Sequence, residues 1–165
     1  MFHFKCAQIS DIPVIISIAD VSFRNTYKDI LSPQQLEWMM EWMYSEQSLK
    51  NQLNEGQKFF ILYSDNIACG YISIEEQEKT LFHFQKIYLL PSFQGLGLGR
   101  MLIEKGVEYI RSLNNLPARV ELNVNRNNKA QEFYKKMGFE IVSQGDFSIG
   151  NGYFMNDYIM GMNID

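Results

Sequence analysis

The stretch Pro91-Ser92-Phe93-Gln94-Gly95-Leu96-Gly97-Leu98-Gly99-Arg100 constrains this chain more than any other. It follows Leu81 to Leu90, an apolar run that reads as a strand and that Pro91 stops. It leads into Ile103, Val107 and Ile110, which recur at helical spacing, as do Leu102, Gly106 and Tyr109. Glycines at alternate positions let the backbone turn tightly and let a ligand come close without a Cβ in the way. Set before a helix, their N–H groups join the positive end of the helix dipole and form an anion site. One hydrogen bond to a charged oxygen contributes about 1.5–3 kcal/mol, so four or five such donors can hold a pyrophosphate.

Spacing narrows the choice of anion. An ATP-type loop requires Gly-x-x-x-x-Gly-Lys-Ser/Thr, and no Lys-Ser/Thr pair follows these glycines. The dinucleotide fingerprint requires a third glycine three residues after Gly-x-Gly. Gly95-x-Gly97 meets Arg100 there, and Gly97-x-Gly99 meets Leu102. Both nucleotide readings fail on spacing.

The rest of the chain organises around this loop. Phe2 to Ile9 alternates as a first strand, and Ser10 is placed to cap a helix through about Tyr27, with Pro13 in its first turn. Ser32-Pro33 opens a second helical stretch, Gln34 to about Leu53, with a break near Ser45. Lys58 to Tyr63 and Ile67 to Ile74 flank Asp65-Asn66 as a hairpin. Arg119 to Val124 alternates, with Val120, Leu122 and Val124 on one face and Glu121 and Asn123 on the other. Ala130, Phe133, Tyr134 and Met137 mark a helix face that Gly138 ends. Phe139 to Ser143 and Tyr153 to Met162 close the chain as strands around Gly150-Asn151-Gly152. This order of elements describes a single α/β or α+β domain over residues 1–165, built on a mixed sheet.

Composition bounds the function classes. The 165 residues suit one domain, and 46% hydrophobic against 21% charged residues allow a core without disulfides or metal. Cys6 and Cys69 are the only cysteines and His3 and His83 the only histidines, so no zinc spacing exists and a reduced, cytoplasmic setting is expected. The net charge of −4 argues against a nucleic-acid partner. The apolar run Ile12 to Ala19 is too short to span a bilayer, so no membrane partner is expected.

Two motifs carry a resemblance. Gln94-x-x-Gly97-x-Gly99 matches the pattern Gln/Arg-x-x-Gly-x-Gly/Ala, after a strand ending Ile87-Tyr88-Leu89-Leu90-Pro91. About thirty residues later come Asn128-Lys129-Ala130 and Phe133-Tyr134-Lys135-Lys136-Met137-Gly138-Phe139. On these residues the chain resembles the GNAT superfamily of acyl-CoA N-acyltransferases, and the order of elements follows that family over nearly the whole length. The resemblance implies a mixed, mostly antiparallel sheet flanked by helices, in which the strands carrying Ile87 and Leu122 splay apart. It implies acetyl-CoA as acyl donor, with its pantetheine arm on the backbone of Ile87, Tyr88 and Leu89. The pyrophosphate would lie on Gln94, Gly95, Leu96, Gly97, Leu98, Gly99 and Arg100. Asn123, Asn128 and Tyr134 complete the expected cofactor contacts.

The implied reaction is attack of a neutral amine on the thioester. A backbone N–H, that of Leu89, would face the oxyanion, and Tyr134 occupies the family position that protonates the departing thiolate. Many members carry a glutamate on the strand of Ile87, whereas this chain reads Phe82-His83-Phe84-Gln85-Lys86 there. His83 is therefore the expected base, with Glu121 as the alternative. The run Phe23-Arg24-Asn25-Thr26-Tyr27 before Ser32-Pro33 is similar to bacterial members that acetylate spermidine and related polyamines. Trp38, Trp42 and Tyr44 could wall a site for a cationic amine, and Asp157 could contact one. A small-molecule amine is the expected acceptor, and a homodimer is compatible with the aromatic content. A peptide or protein acceptor and a non-catalytic acyl-CoA-binding module are the alternatives.

Overall fold

The computed structural model describes residues 1–165. Strand β1 (Phe2–Cys6) leads through one 3-10 turn (Ile9–Asp11) into helix α1 (Ile12–Tyr27). Ser10, expected to cap α1, lies inside that turn instead. Asp11 closes the turn, its carboxylate accepting from the Gln8 N–H at 2.8 Å and from Lys5 Nζ at 2.7 Å. Helix α2 (Pro33–Tyr44) starts on Ser32, whose hydroxyl accepts from the Gln35 N–H at 3.1 Å. The expected break is present. Ser45 is extended and caps helix α3 (Glu46–Asn54) by accepting from the Ser48 N–H.

Strands β2 (Lys58–Ser64) and β3 (Ile67–Glu78) form the expected hairpin, turned by Asp65 at φ 52°. Strand β4 (Leu81–Leu89), helix α4 (Leu98–Ser112), strand β5 (Ala118–Asn125) and helix α5 (Ala130–Lys136) follow. Strands β6 (Glu140–Gly150) and β7 (Tyr153–Ile164) complete the chain. Strand β6 runs well past the expected Ser143, although Gly145 and Asp146 look like breakers. It is an exposed edge strand, held by its ladder to β7 rather than by an apolar face.

The seven strands form one sheet in the order β1-β2-β3-β4-β5-β7-β6. All neighbours are antiparallel except β4 and β5, which are parallel. One face carries a core of α4 and α5 side chains against Phe82, Phe84, Val120 and Leu122. The other carries α1, α2 and α3 against Phe59, Ile61 and Tyr71. Burial along α1 at Ile12, Ile15, Ala19, Phe23 and Tyr27 follows the helical repeat, so one stripe of that helix meets the sheet.

Two features of β4 shape what comes next. Ser73 pairs with Lys86 and Ile74 with Phe84, which leaves Gln85 without a partner in β3. This is a β-bulge, and it resets which side chains face which layer. Phe82 and Phe84 before it, and Ile87 and Leu89 after it, all pack on the α4 side. Second, β4 meets β5 over only three rungs, Leu81–Arg119, Phe82–Val120 and His83–Glu121. Beyond His83 and Glu121 the strands part, as expected for the pair carrying Ile87 and Leu122.

Candidate active site

The parting of β4 and β5 opens into a cleft of about 840 Å³. Its walls are the second half of β4, the glycine loop, the end of β5 with the start of α5, and the C-terminal end of α1. Backbone direction on β4 follows from one bond. The Leu90 N–H donates to Cys69 O at 2.8 Å, toward β3. Successive N–H groups of a strand alternate in direction, so those of Leu89 and Ile87 point the opposite way, into the gap. No β5 residue is in register to receive them.

The glycine loop forms the second wall. Gly97 starts α4 in the left-handed region at φ 79°, and Gly95 has the same φ. A Cβ on either would meet no atom within 4 Å, so both adjoin open space. Gly99 differs, because a Cβ there would lie 3.0 Å from Cζ of Phe133. Its missing side chain lets α5 approach α4, a packing reason that adds to the expected phosphate role. Leu98 is buried and anchors the helix start, while Gln94 Nε2 donates to Leu89 O at 3.5 Å. The N–H groups of the first helical turn have no intrahelical acceptor and are available to a ligand. Arg100 lines the cleft and lies 3.9 Å from Glu104. Leu96 does not line it, since its side chain is 63% exposed.

The third wall carries Asn123, Asn128 and Tyr134. Asn128 Oδ1 accepts from the Ala130 N–H at 2.9 Å and so fixes the start of α5. Asn123 Nδ2 donates to Asp157 Oδ2 at 3.3 Å. The Tyr134 ring packs between Phe133 and Phe139, at centroid distances of 5.5 and 6.0 Å. Burial, with Tyr27 nearby, pushes its phenol well above the ordinary value. The Tyr27 phenol is raised by burial too, with Tyr88, Asp157 and Asn128 acting on it.

Several expected residues lie elsewhere. His83 forms the rung with Glu121 at the closed end of the gap, faces Glu75 across β3, and does not line the cleft. Burial lowers its pKa, and the two carboxylates oppose the shift. His83 sits on the last paired rung, and the cleft lining on β4 begins only after it, at Phe84. Glu121 is engaged by Arg119, whose Nε donates to it at 3.1 Å. Tyr44 is core, accepting from the Tyr71 hydroxyl at 2.6 Å. Trp38 stacks on Trp42 at 5.3 Å and packs against Tyr153 and Gly150 of the β6–β7 hairpin. None of the three lines the cleft.

Asp29, Ile30 and Asn127 line it unannounced by any motif; Lys129 of the Asn128-Lys129-Ala130 motif also lines it, as do Asn25, Thr26 and Tyr27 from the run singled out for its likeness to polyamine enzymes. Arg24 of that run faces away, paired with Asp20 and Glu37. Tyr27 was legible as the end of an apolar helix stripe, but nothing in the sequence marked its hydroxyl.

A family model described as an acetyltransferase (GNAT) domain matches residues 27–155. The chain belongs to the GNAT acetyltransferase family. An uncharacterized N-acetyltransferase from Lactobacillus delbrueckii subsp. lactis is 29% identical over 166 residues, covering 92% of each chain. A spermidine N(1)-acetyltransferase from Thermoplasma acidophilum is 23% identical over 138 residues, covering 81% of this chain and 84% of that one. Among solved structures, the PaiA N-acetyltransferase from Thermoplasma acidophilum, in complex with coenzyme A, has a TM-score of 0.82 at 23% identity, covering 99% of both chains. The ribosomal-protein-S18-alanine N-acetyltransferase from Escherichia coli has a TM-score of 0.75 at 17% identity, covering 100% of this chain and 95% of that one. These likenesses establish the fold, a seven-stranded mixed sheet shared across GNAT enzymes with different acceptors. Membership makes the chain an acyltransferase. No helix is long and apolar enough to cross a membrane.

Proposed function

We propose that residues 1–165 form one GNAT domain that moves the acetyl group of acetyl-CoA to a primary amine of a small molecule. The observation that carries this reading is the gap beyond His83 and Glu121, with the Leu89 and Ile87 N–H groups directed into it. A pantetheine arm carries amides that can replace the missing β5 partner, and the free first turn of α4 suits its pyrophosphate. The cofactor fits the residues present: Gly95 and Gly97 adjoin open space, and Arg100 and Lys129 add positive charge to the same cleft.

The chemistry follows from the walls. The amine lone pair attacks the thioester carbon, and the Leu89 N–H stabilises the oxyanion, a donor worth about 2.7–4 kcal/mol in the transition state. The C–S bond then breaks, Tyr134 gives its proton to the thiolate, and the proton that the amine nitrogen sheds passes to water in the open cleft, from which the phenol is reprotonated. A phenol raised by burial stays protonated at neutral pH, so it serves as an acid and not as a base. His83 has no part in this reading, because it stands at the closed end. The spermidine acetyltransferase among the relatives puts polyamines first in the acceptor panel. Thiol release from acetyl-CoA with a panel of alkylamines, polyamines and N-terminal peptides tests the reading. Release stimulated by an alkylamine supports it; stimulation by peptides alone replaces the acceptor, and no stimulation by any amine refutes it.

A further inference from the structure

Resting on the acetyltransferase reading above, we propose that Asp157 anchors a second ammonium group of the acceptor, making a diamine or polyamine the preferred substrate. Asp157 lies in β7, opposite Asn125 of β5 and Gly145 of β6, and is only 5% exposed. Its Oδ2 accepts from Asn123, but its Oδ1 is buried without any hydrogen-bond partner. A carboxylate oxygen removed from water and left without a donor is costly, and native proteins rarely keep one without a use.

The nearby cation does not fill that role. Arg126 spends Nη2 on Asp146 at 2.5 Å, and Nη1 on the backbone oxygens of Gly145 and Asp157 at 3.1 and 3.4 Å. The Asp157 side chain therefore keeps its vacant acceptor. The groups that face it lead to the cleft. Asn123 lines the cleft directly, and so does Tyr27, whose phenol feels the charge of Asp157. The same phenol acts on Tyr134. Asp157 is thus joined to the cleft through Asn123, which bonds its Oδ2 and lines the wall that also carries Tyr134.

An alkyldiammonium suits this layout. One nitrogen, as the free base, meets the thioester beside Tyr134, while the other, still charged, reaches Oδ1 once Asn123 turns its amide aside. Tyr27 lines the same cleft and offers an aromatic surface to the chain or its charge. Asp29, from the loop after α1, adds a second carboxylate to the lining. A monoamine reaches the reacting end but leaves Oδ1 vacant.

The test compares 1,4-diaminobutane and spermidine with n-butylamine at saturating acetyl-CoA, in wild type and Asp157→Asn. The wild type is expected to favour the diamine at least tenfold in kcat/KM. In Asp157→Asn that ratio should fall at least tenfold, through the KM of the diamine. A wild type without the preference, or a variant that keeps it, overturns the proposal. If no amine is turned over, the acetyltransferase reading fails first. The anchor is then judged by calorimetry of spermidine into coenzyme A-loaded protein, where absent binding, or equal binding to Asp157→Asn, refutes it. Should the variant not fold, the carboxyl carbon of Asp157 in the wild type decides by NMR. Diamine should lower its titration midpoint, against the fixed surroundings of Tyr27, Asn123, Arg126 and Asp146, and no movement overturns the anchor.

Discussion

His83 of β4 and Glu121 of β5 form the last rung between the only parallel neighbours in the sheet. Two residues later Gln85 is bulged out of its ladder with β3, so β4 bends as it loses contact with β5. The gap that results supplies backbone donors with no partner in the protein, and the rest of the site is arranged along it.

Leu89→Pro tests those donors directly. Proline removes one N–H, and at this position the ladder with β3 does not use it. The fold should survive, because proline is tolerated where the N–H faces away from a neighbour strand. Turnover in thiol release should fall about 10²–10³-fold, the usual effect of losing one oxyanion donor. Leu89→Val, which keeps the N–H, should stay within a few-fold of wild type. Equal loss in both variants would move the cause from the N–H to the side chain.

Gly97 and Gly99 should fail for different reasons. Gly99→Ala puts a methyl 3.0 Å from the Phe133 ring and should cost about 1–3 kcal/mol by overpacking. Phe133→Leu should restore part of that stability. Gly97→Ala meets no neighbour but must hold φ 79°, costing about 1–2 kcal/mol that Phe133→Leu does not recover. Thermal melts of the four variants separate the two mechanisms. Rescue of both, or of neither, contradicts this assignment.

Much of this arrangement was legible in sequence because the signals were local. The glycine spacing, the break near Ser45 and the Asp65-Asn66 turn each act within a few residues, and these features formed where the sequence placed them. What was not legible depends on register. Whether His83 or Ile87 reaches the gap is decided by where β4 parts from β5, and the Gln85 bulge then sets which face Ile87 takes; no residue pattern announces either. Trp38 and Trp42 could wall a binding site, though such a stripe is more often packing, and the β6–β7 hairpin decides for packing at Trp38 by bringing Gly150 and Tyr153 against it. Asp157 appears in sequence as one acid on a strand, and only its unpartnered oxygen singles it out.

Lys86 sets a pH dependence of stability. It is buried against Tyr44 and Phe59, donates to Gln52 Oε1 at 2.6 Å, and burial lowers its pKa from 10.5 to about 8. Between these values the unfolded chain binds the proton and the folded chain does not, so stability rises with pH across that window. Below pH 8 the shift costs the fold on the order of 3 kcal/mol. Lys86→Met should therefore be more stable than wild type at pH 7, with the advantage shrinking by pH 9.5. Urea unfolding at both pH values checks this. An advantage that does not change with pH contradicts the shifted pKa.

The acid assignment has a pH signature as well. Tyr134→Phe keeps the ring and should lower turnover about 10²–10⁴-fold with little change in acetyl-CoA affinity. Because burial raises the Tyr134 phenol, wild-type kcat should show no alkaline fall near pH 10, where an ordinary tyrosine titrates. The rate should climb instead, as the amine loses its proton. A fall centred near pH 10 that is absent from Tyr134→Phe would mean an unshifted phenol.

A crystal structure of the protein with coenzyme A tests the central claim most directly. The account expects the pantetheine amides on the backbone of Ile87 and Leu89, between β4 and β5, with the pyrophosphate on the N–H groups of Leu98, Gly99 and Arg100. The cofactor thiol should end within reach of the Tyr134 hydroxyl. Coenzyme A bound outside this cleft, or strands β4 and β5 fully paired beyond His83 and Glu121, would contradict it.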